Sequence, residues 1–209
     1  MAKLPCPPTV ADLQAIGPDM VTLSAGTTLW RVHRTGGASP AAWDELRHYG
    51  PSASARFDPH GEPPRTQSAG VAYLALDVPT ALAEVFRGTR VIALRRGAPH
   101  LTGFETGSAL DLLDLTGEWP LRAGASHTIT TGRRDVTRAW ARAFVAAWPH
   151  LHGLRYTSSM TGHACLALYT PGQPALPASP AFSEPLSHVG LTNDLADAAQ
   201  QIGYLLSPG

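Results

Sequence analysis

An arginine set in a β-prone run, Trp30-Arg31-Val32-His33, is the first residue of this chain with an evident chemical use. Two later segments share that character: Val71-Ala72-Tyr73-Leu74-Ala75, with Glu84 eleven residues beyond its tyrosine, and Leu154-Arg155-Tyr156-Thr157-Ser158. Each places a polar group in an otherwise apolar or β-prone stretch, and a buried charge is costly unless it is paired or used. By type, Arg31, Tyr73, Glu84 and Ser158 suit cleavage of a nucleotide's sugar–base bond. The nicotinamide of NAD is such a base. It is already a cationic pyridinium, departs neutral and needs no general acid, unlike the leaving groups of ordinary glycosidases with their carboxyl pair. One carboxylate then suffices to stabilise an oxocarbenium-like transition state. An arginine fork grips the pyrophosphate, a ring faces the nicotinamide, and a hydroxyl bonds the carboxamide or orients the ribose. Read singly, each residue has an ordinary alternative: a strand-edge surface arginine, a core tyrosine, a solvated helix carboxylate, a strand-end hydroxyl.

The elements that must position these groups are legible in outline. Thr9 followed by Asp12 predicts a short N-terminal helix. Thr27 to His33 reads as a strand, and 34–70, rich in Gly, Ser, Pro and His, as a long loop with a helical turn near Trp43 to Leu46. Gly70 to Leu76 reads as a second strand. Asp77-Val78-Pro79-Thr80 opens a helix over Ala81 to Phe86 that Gly88 stops. Arg90 to Leu94 is a third strand, and Leu110 to Leu115 is an apolar stretch within an ambiguous 97–132. Val136, Ala139, Trp140, Ala143, Phe144 and Ala147 repeat at helical spacing behind Asp135, up to Pro149. Two strands follow, Leu154 to Ser158 and Ala164 to Thr170. Pro171 to Pro185, with five prolines, reads as a wrapping arm before a last helix over about Asn193 to Leu205. This mixture without strict βαβ alternation predicts an α+β fold.

Composition narrows the classes. The 209 residues carry a formal net charge of zero, with none of the basic footprint of a nucleic-acid binder. No apolar run reaches the roughly 18 residues of a membrane span, and the first residues lack a signal-peptide core, so a cytoplasmic protein is expected. Cys6 and Cys165 stand far apart, which excludes a disulfide framework. His150-x-His152 could chelate a metal, but no carboxylate clusters with it, and no metal is expected. There is one lysine, Lys3, against fifteen arginines. A P-loop and a pyridoxal Schiff base both need a lysine placed in a site.

In order, Leu29-Trp30-Arg31-Val32-His33, Ala55-Arg56-Phe57-Asp58-Pro59-His60-Gly61, Ala72-Tyr73-Leu74-Ala75 with Ala81-Leu82-Ala83-Glu84-Val85, and Arg155-Tyr156-Thr157-Ser158 resemble the RES domain family. The resemblance runs from about Thr27 to Thr170. It implies an ADP-ribosyltransferase-like split mixed β-sheet with flanking helices, and an enzyme that degrades NAD, by hydrolysis or phosphorolysis, as a toxin held in check by an antitoxin with a helix-turn-helix domain. NAD is then substrate, not cofactor. The catalytic set carried over is Arg31, Tyr73, Glu84 and Ser158, with Ser159 as the other candidate for the family serine. Arg56, Phe57 and His60 would bind substrate. Asp58 departs from the asparagine of the pattern and brings a negative charge toward any phosphate. Alternatives are protein ADP-ribosylation from the same site and a non-catalytic NAD- or partner-binding module. The expected organisation is an N-terminal extension with a short helix over 1–26, an NAD-binding catalytic domain over 27–170, and a proline-rich arm with C-terminal helix over 171–209.

Overall fold

The computed structural model describes residues 4–208. Lys3 therefore lies outside the described residues. The chain begins with α1 (Val10–Ile16), whose first turn is closed by the Thr9 hydroxyl accepting the Asp12 amide, and β1 (Met20–Leu23). Next come β2 (Thr28–Arg34), β3 (Arg47–Gly50), β4 (Arg65–Ala75), α2 (Val78–Phe86), β5 (Val91–Ala93), β6 (Pro99–Glu105) and β7 (Leu110–Asp114). The short α3 (Trp119–Arg122) and the long α4 (Arg134–Ala147) lead to β8 (Gly153–Thr157) and β9 (Ala164–Tyr169). β10 (Phe182–Pro185), α5 (Thr192–Ile202) and β11 (Leu205–Ser207) complete the chain.

The fold is α+β: a nine-stranded mixed sheet ordered β1-β7-β8-β9-β4-β2-β6-β10, with β3 also on β4, and a separate parallel pair β5–β11. Neighbours in the main sheet are antiparallel except β7 and β8. One junction is weak. β2 meets β4 through the single pair Trp30–Ala75, whereas β2 meets β6 over seven pairs. β9 occupies the other edge of β4 from Val71 to Ala75. β3 therefore takes the edge that β2 leaves, pairing Arg47 with Val71 and Tyr49 with Thr66. The sheet parts between these two attachments.

Alternation along the strands sorts side chains onto two faces. Val71, Ala75, Tyr156, Cys165, Ala167 and Tyr169 join the larger core, where Leu82 and Phe86 of α2, Trp140 and Phe144 of α4, and Leu195 of α5 pack. Ala72, Leu74, Leu166 and Leu168 face a smaller core with Leu46, Phe104 and Leu112.

Several sequence-based expectations are corrected. The loop expected over 34–70 contains β3 and the first half of β4, because β4 runs eleven residues, of which Arg65 to Ser68 carry no apolar pattern. β1 and β6 lie in segments read as extension and as ambiguous; β1 is four residues with none buried, and β6 is seven residues lying between β2 and β10. The proline arm contributes β10, a sheet-edge strand ending at Pro185, where a missing N–H is tolerated. The last helix stops at Gly203, in the left-handed region at φ 69°, and Leu205 continues as β11 beside Val91. Main-sheet strands thus come from both the 1–26 and the 171–209 segments.

Gly153 opens β8 where a Cβ would press on the Ala167 carbonyl oxygen and lie 3.1 Å from Leu168 Cα, both backbone atoms of β9. Gly153→Ala is expected to cost about 3 kcal/mol, a fall on the order of 10 °C in melting temperature for a chain of this size. A thermal melt within 2 °C of wild type would show that the β8–β9 ladder can give.

Candidate active site

The parted sheet holds a cavity of about 710 Å³. Trp30, Arg31 and Val32 of β2 form one side of the fork, Val71 to Ala75 of β4 the other, and Glu84 and Arg87 from the end of α2 close it with the 52–56 loop. Arg31, Tyr73 and Glu84, singled out by type from distant parts of the sequence, and Arg56, which the resemblance carried over, all line it.

Glu84 is held from both sides. Asp77 starts α2 by accepting the Thr80 amide at 2.7 Å, and this start fixes the phase that aims Glu84 at the cavity. Its Oε1 accepts the Ser158 hydroxyl at 2.6 Å, and its Oε2 accepts Nη1 of Arg87 at 3.0 Å. Ser158 also accepts the amides of Met160 and Thr161 at 3.1 and 3.3 Å. Those amides occupy its lone pairs, so its single proton is directed onto Glu84. Ser158 is buried behind the wall, while exposed Ser159 is on it. The hydroxyl that meets the glutamate is therefore that of Ser158, which does not itself line the cavity.

Arg31 stands one residue past the last β2–β4 pair. Its Nη1 donates to the carbonyls of Trp43 (2.6 Å) and Glu45 (2.8 Å), fastening the β2–β3 connection across the fork. Burial pushes this guanidinium down to about 10, with Glu45 and Asp44 opposing the shift. Both bonds use one nitrogen, so the other N–H groups stay available to a ligand. Arg56 donates to the Gly132 carbonyl at 2.5 Å. Burial, then the nearby Arg134 and Arg87, lower its pKa, and Glu84 counters them. An anion here would offset that crowding of positive charge.

The Tyr73 hydroxyl is buried, with the Phe57 carbonyl near it but no well-formed hydrogen bond among the described residues. Burial, and next the Asp58 charge, raise its pKa, so it stays a neutral donor. A buried donor left unpaired costs roughly 1–3 kcal/mol. Cys165, also on the wall, is pushed by burial to about 12 and stays a thiol.

Two residues expected to bind substrate lie off the cavity wall. Phe57 is fully buried, its ring 4.8 Å from that of Tyr156, and His60 is fully buried with Nδ1 against Asp58 and Nε2 donating to the Ala69 carbonyl at 2.8 Å. Neither lines the cavity; both support the loop that does. Arg87 is the residue that sequence reasoning missed. Its position three residues after Glu84 in a helix was the available signal. Among the described residues no group of three His, Cys, Asp or Glu side chains could hold a metal, and no helix is long and apolar enough to cross a membrane.

Asp58 explains the loop. It accepts Arg47 Nη2 (2.9 Å), the Ser52 amide (2.6 Å) and the His60 amide (3.1 Å). Burial alone would raise its pKa; the Ser52 bond and the Arg47 charge outweigh burial and leave it below its ordinary value of 3.8. Its charge is thus neutralised inside the loop instead of repelling a phosphate. A carboxylate depressed on folding stabilises the fold above its unfolded pKa, about 3.9, and that stability is lost as pH falls through the lower folded value. Asp58→Asn should cost about 3 kcal/mol near neutral pH and flatten the loss of melting temperature below pH 4. An unchanged slope would remove Asp58 from that role.

A family model described as the RES domain matches residues 28–189. The fold is similar to a chain of the crystal structure of the M. tuberculosis MbcT–MbcA toxin–antitoxin complex, at 20% identity and a TM-score of 0.56, over 84% of this chain and 90% of that one. No curated protein matches the chain. The matched segment runs from the start of β2 past β10 and contains every residue of the cavity wall, and the chain belongs to the RES domain family.

Proposed function

We propose that this chain is an enzyme that cleaves the nicotinamide–ribose bond of NAD and acts as a toxin neutralised by an antitoxin. The observation that carries the proposal is a carboxylate fixed at both oxygens on the wall of a cavity flanked by desolvated arginines and an unpartnered tyrosine hydroxyl. Arg31 and Arg56 bind the pyrophosphate, Tyr73 packs on the nicotinamide, and Glu84 faces the ribose. The bond from ribose C1′ to the pyridinium nitrogen breaks with its electron pair going to the nitrogen, so nicotinamide leaves neutral. Glu84 stabilises the ribosyl cation, preorganised by Ser158 and Arg87. Water then attacks C1′ and loses a proton to give ADP-ribose, or inorganic phosphate attacks to give its 1-phosphate.

The similarity in fold to a chain of a toxin–antitoxin complex supports the toxin part. The placement of Asp58 removes the main argument for a site unable to take phosphates.

The purified protein is expected to consume NAD, and Glu84→Gln to lose at least about 100-fold in kcat with its melting temperature kept. Product analysis with and without inorganic phosphate identifies the acceptor. NAD left intact by wild type, or consumed at full rate by the glutamine variant, would sink the assignment. Tyr73→Phe should shift stability and activity in opposite directions. Removing an unpaired buried hydroxyl leaves the melting temperature equal or higher, while kcat/KM for NAD falls about tenfold, the worth of one hydrogen bond. Wild-type turnover by that variant would limit Tyr73 to its ring.

A further inference from the structure

Arg87 does two things at once. From the C-cap of α2, where a cation is favoured by the helix dipole, its Nη1 holds Glu84 Oε2 at 3.0 Å and its Nη2 donates to the Ser54 carbonyl. Both partners belong to the cavity wall, but to different parts of it. Glu84 is rooted in the helix. Ser54 sits in the 52–56 loop, which leads to Arg56. That loop is anchored at its start by the Ser52 amide on Asp58 and by Arg138 on the Ser52 carbonyl, and at its end by Thr137 on the Arg56 carbonyl at 2.9 Å. Between those anchors its backbone bond to the body of the protein is the one from Arg87. Two further contacts there, Ser52 Oγ to Ser54 Oγ and the Ala55 amide to the Ser52 carbonyl at 3.1 Å, are internal to the loop.

We propose that Arg87 is a positioning residue that couples the catalytic carboxylate to the 52–56 loop, so that Glu84 orientation and the reach of Arg56 are set together. This rests on the NAD reading for its kinetic consequence and on geometry alone for its structural one. Only a planar fork can serve both partners; a lysine ammonium on a flexible stem supplies one point charge. With Ser158 on Oε1 and Arg87 on Oε2, the carboxylate cannot rotate, and its outward lone pairs meet the ribose in one orientation. Ser158 and Arg87 immobilise the same group, so their losses cannot simply add.

The test uses Arg87→Met, which keeps the stem, and Arg87→Lys, which keeps the charge. Hydrogen exchange is read first and needs no substrate. Amides of 53–56 should exchange at least tenfold faster in both variants, while those of β8 and β9 stay at wild-type protection. Unchanged exchange at 53–56 overturns the coupling whatever the protein does to NAD. In turnover, Arg87→Met should lose on the order of 100-fold in kcat, with KM changed less than threefold, and Arg87→Lys should recover about tenfold of that loss. Combined with Ser158→Ala, Arg87→Met should cost clearly less than the product of the two single losses. A normal kcat with raised KM would make Arg87 a substrate ligand instead, and multiplicative losses would show that it does not act through Glu84. Absence of NAD consumption by wild type is a separate result: it removes the NAD reading and leaves the exchange outcome standing.

Discussion

The site exists because the sheet is nearly torn in two. β2 and β4 share one residue pair, Trp30–Ala75, and everything that lines the cavity follows from the gap beyond it. A sheet that parts exposes strand edges, and unpaired backbone groups away from water are costly. Two devices limit the damage. β3 pairs with β4 at Val71, four residues from the last β2 contact, and Arg31 gathers two carbonyls of the β2–β3 connection onto one nitrogen. The arginine in a strand is therefore structural before it is functional. Holding the fork open and facing a ligand are compatible tasks for a group with five N–H donors.

Around that gap, charge is arranged by burial and pairing. Arg56 lies near Arg87 and Arg134, with Glu84 as the countering carboxylate. Asp58, the other carboxylate of the Arg56 motif, is turned into the loop, where Arg47 and two amides hold it. The cavity wall is consequently biased toward positive charge in a protein with a net charge of zero. The balance is kept locally, at a few residues, and composition could not reveal it.

Much of the site was legible in the sequence, and the reasons differ by residue. Arg31, Tyr73 and Glu84 stood out because each breaks an apolar or helical pattern, and pattern survives without knowledge of partners. Asp77 and Pro79 gave away the start of α2, hence the face on which Glu84 sits. Ser158 could not be separated from Ser159 until the turn after β8 showed which hydroxyl receives two amides. Phe57 and His60 lie off the wall because neighbours of Arg56 in sequence alternate between wall and core. Arg56 reaches the cavity, while Phe57 packs on Tyr156 and His60 fills the space beside Gly50. The hidden strands β1 and β10 are four residues each and β6 is seven, and their stability lies in the sheet that receives them.

The two polar networks on Glu84 are of opposite kinds, and this decides how the site tolerates change. The Ser158 hydroxyl is saturated: two amides in, one proton out, no freedom to rotate. Behind it, Thr161 meets Thr80 at 2.9 Å and His163 meets Asp77 at 2.9 Å, tying the turn after β8 to the first turn of α2. That side of the carboxylate is rigid because both of its elements are fixed to each other at several points. The Arg87 side depends on one long side chain reaching a loop. Any adjustment of the site to a bound ligand must therefore come from the loop side, with the Ser158 side as the fixed reference.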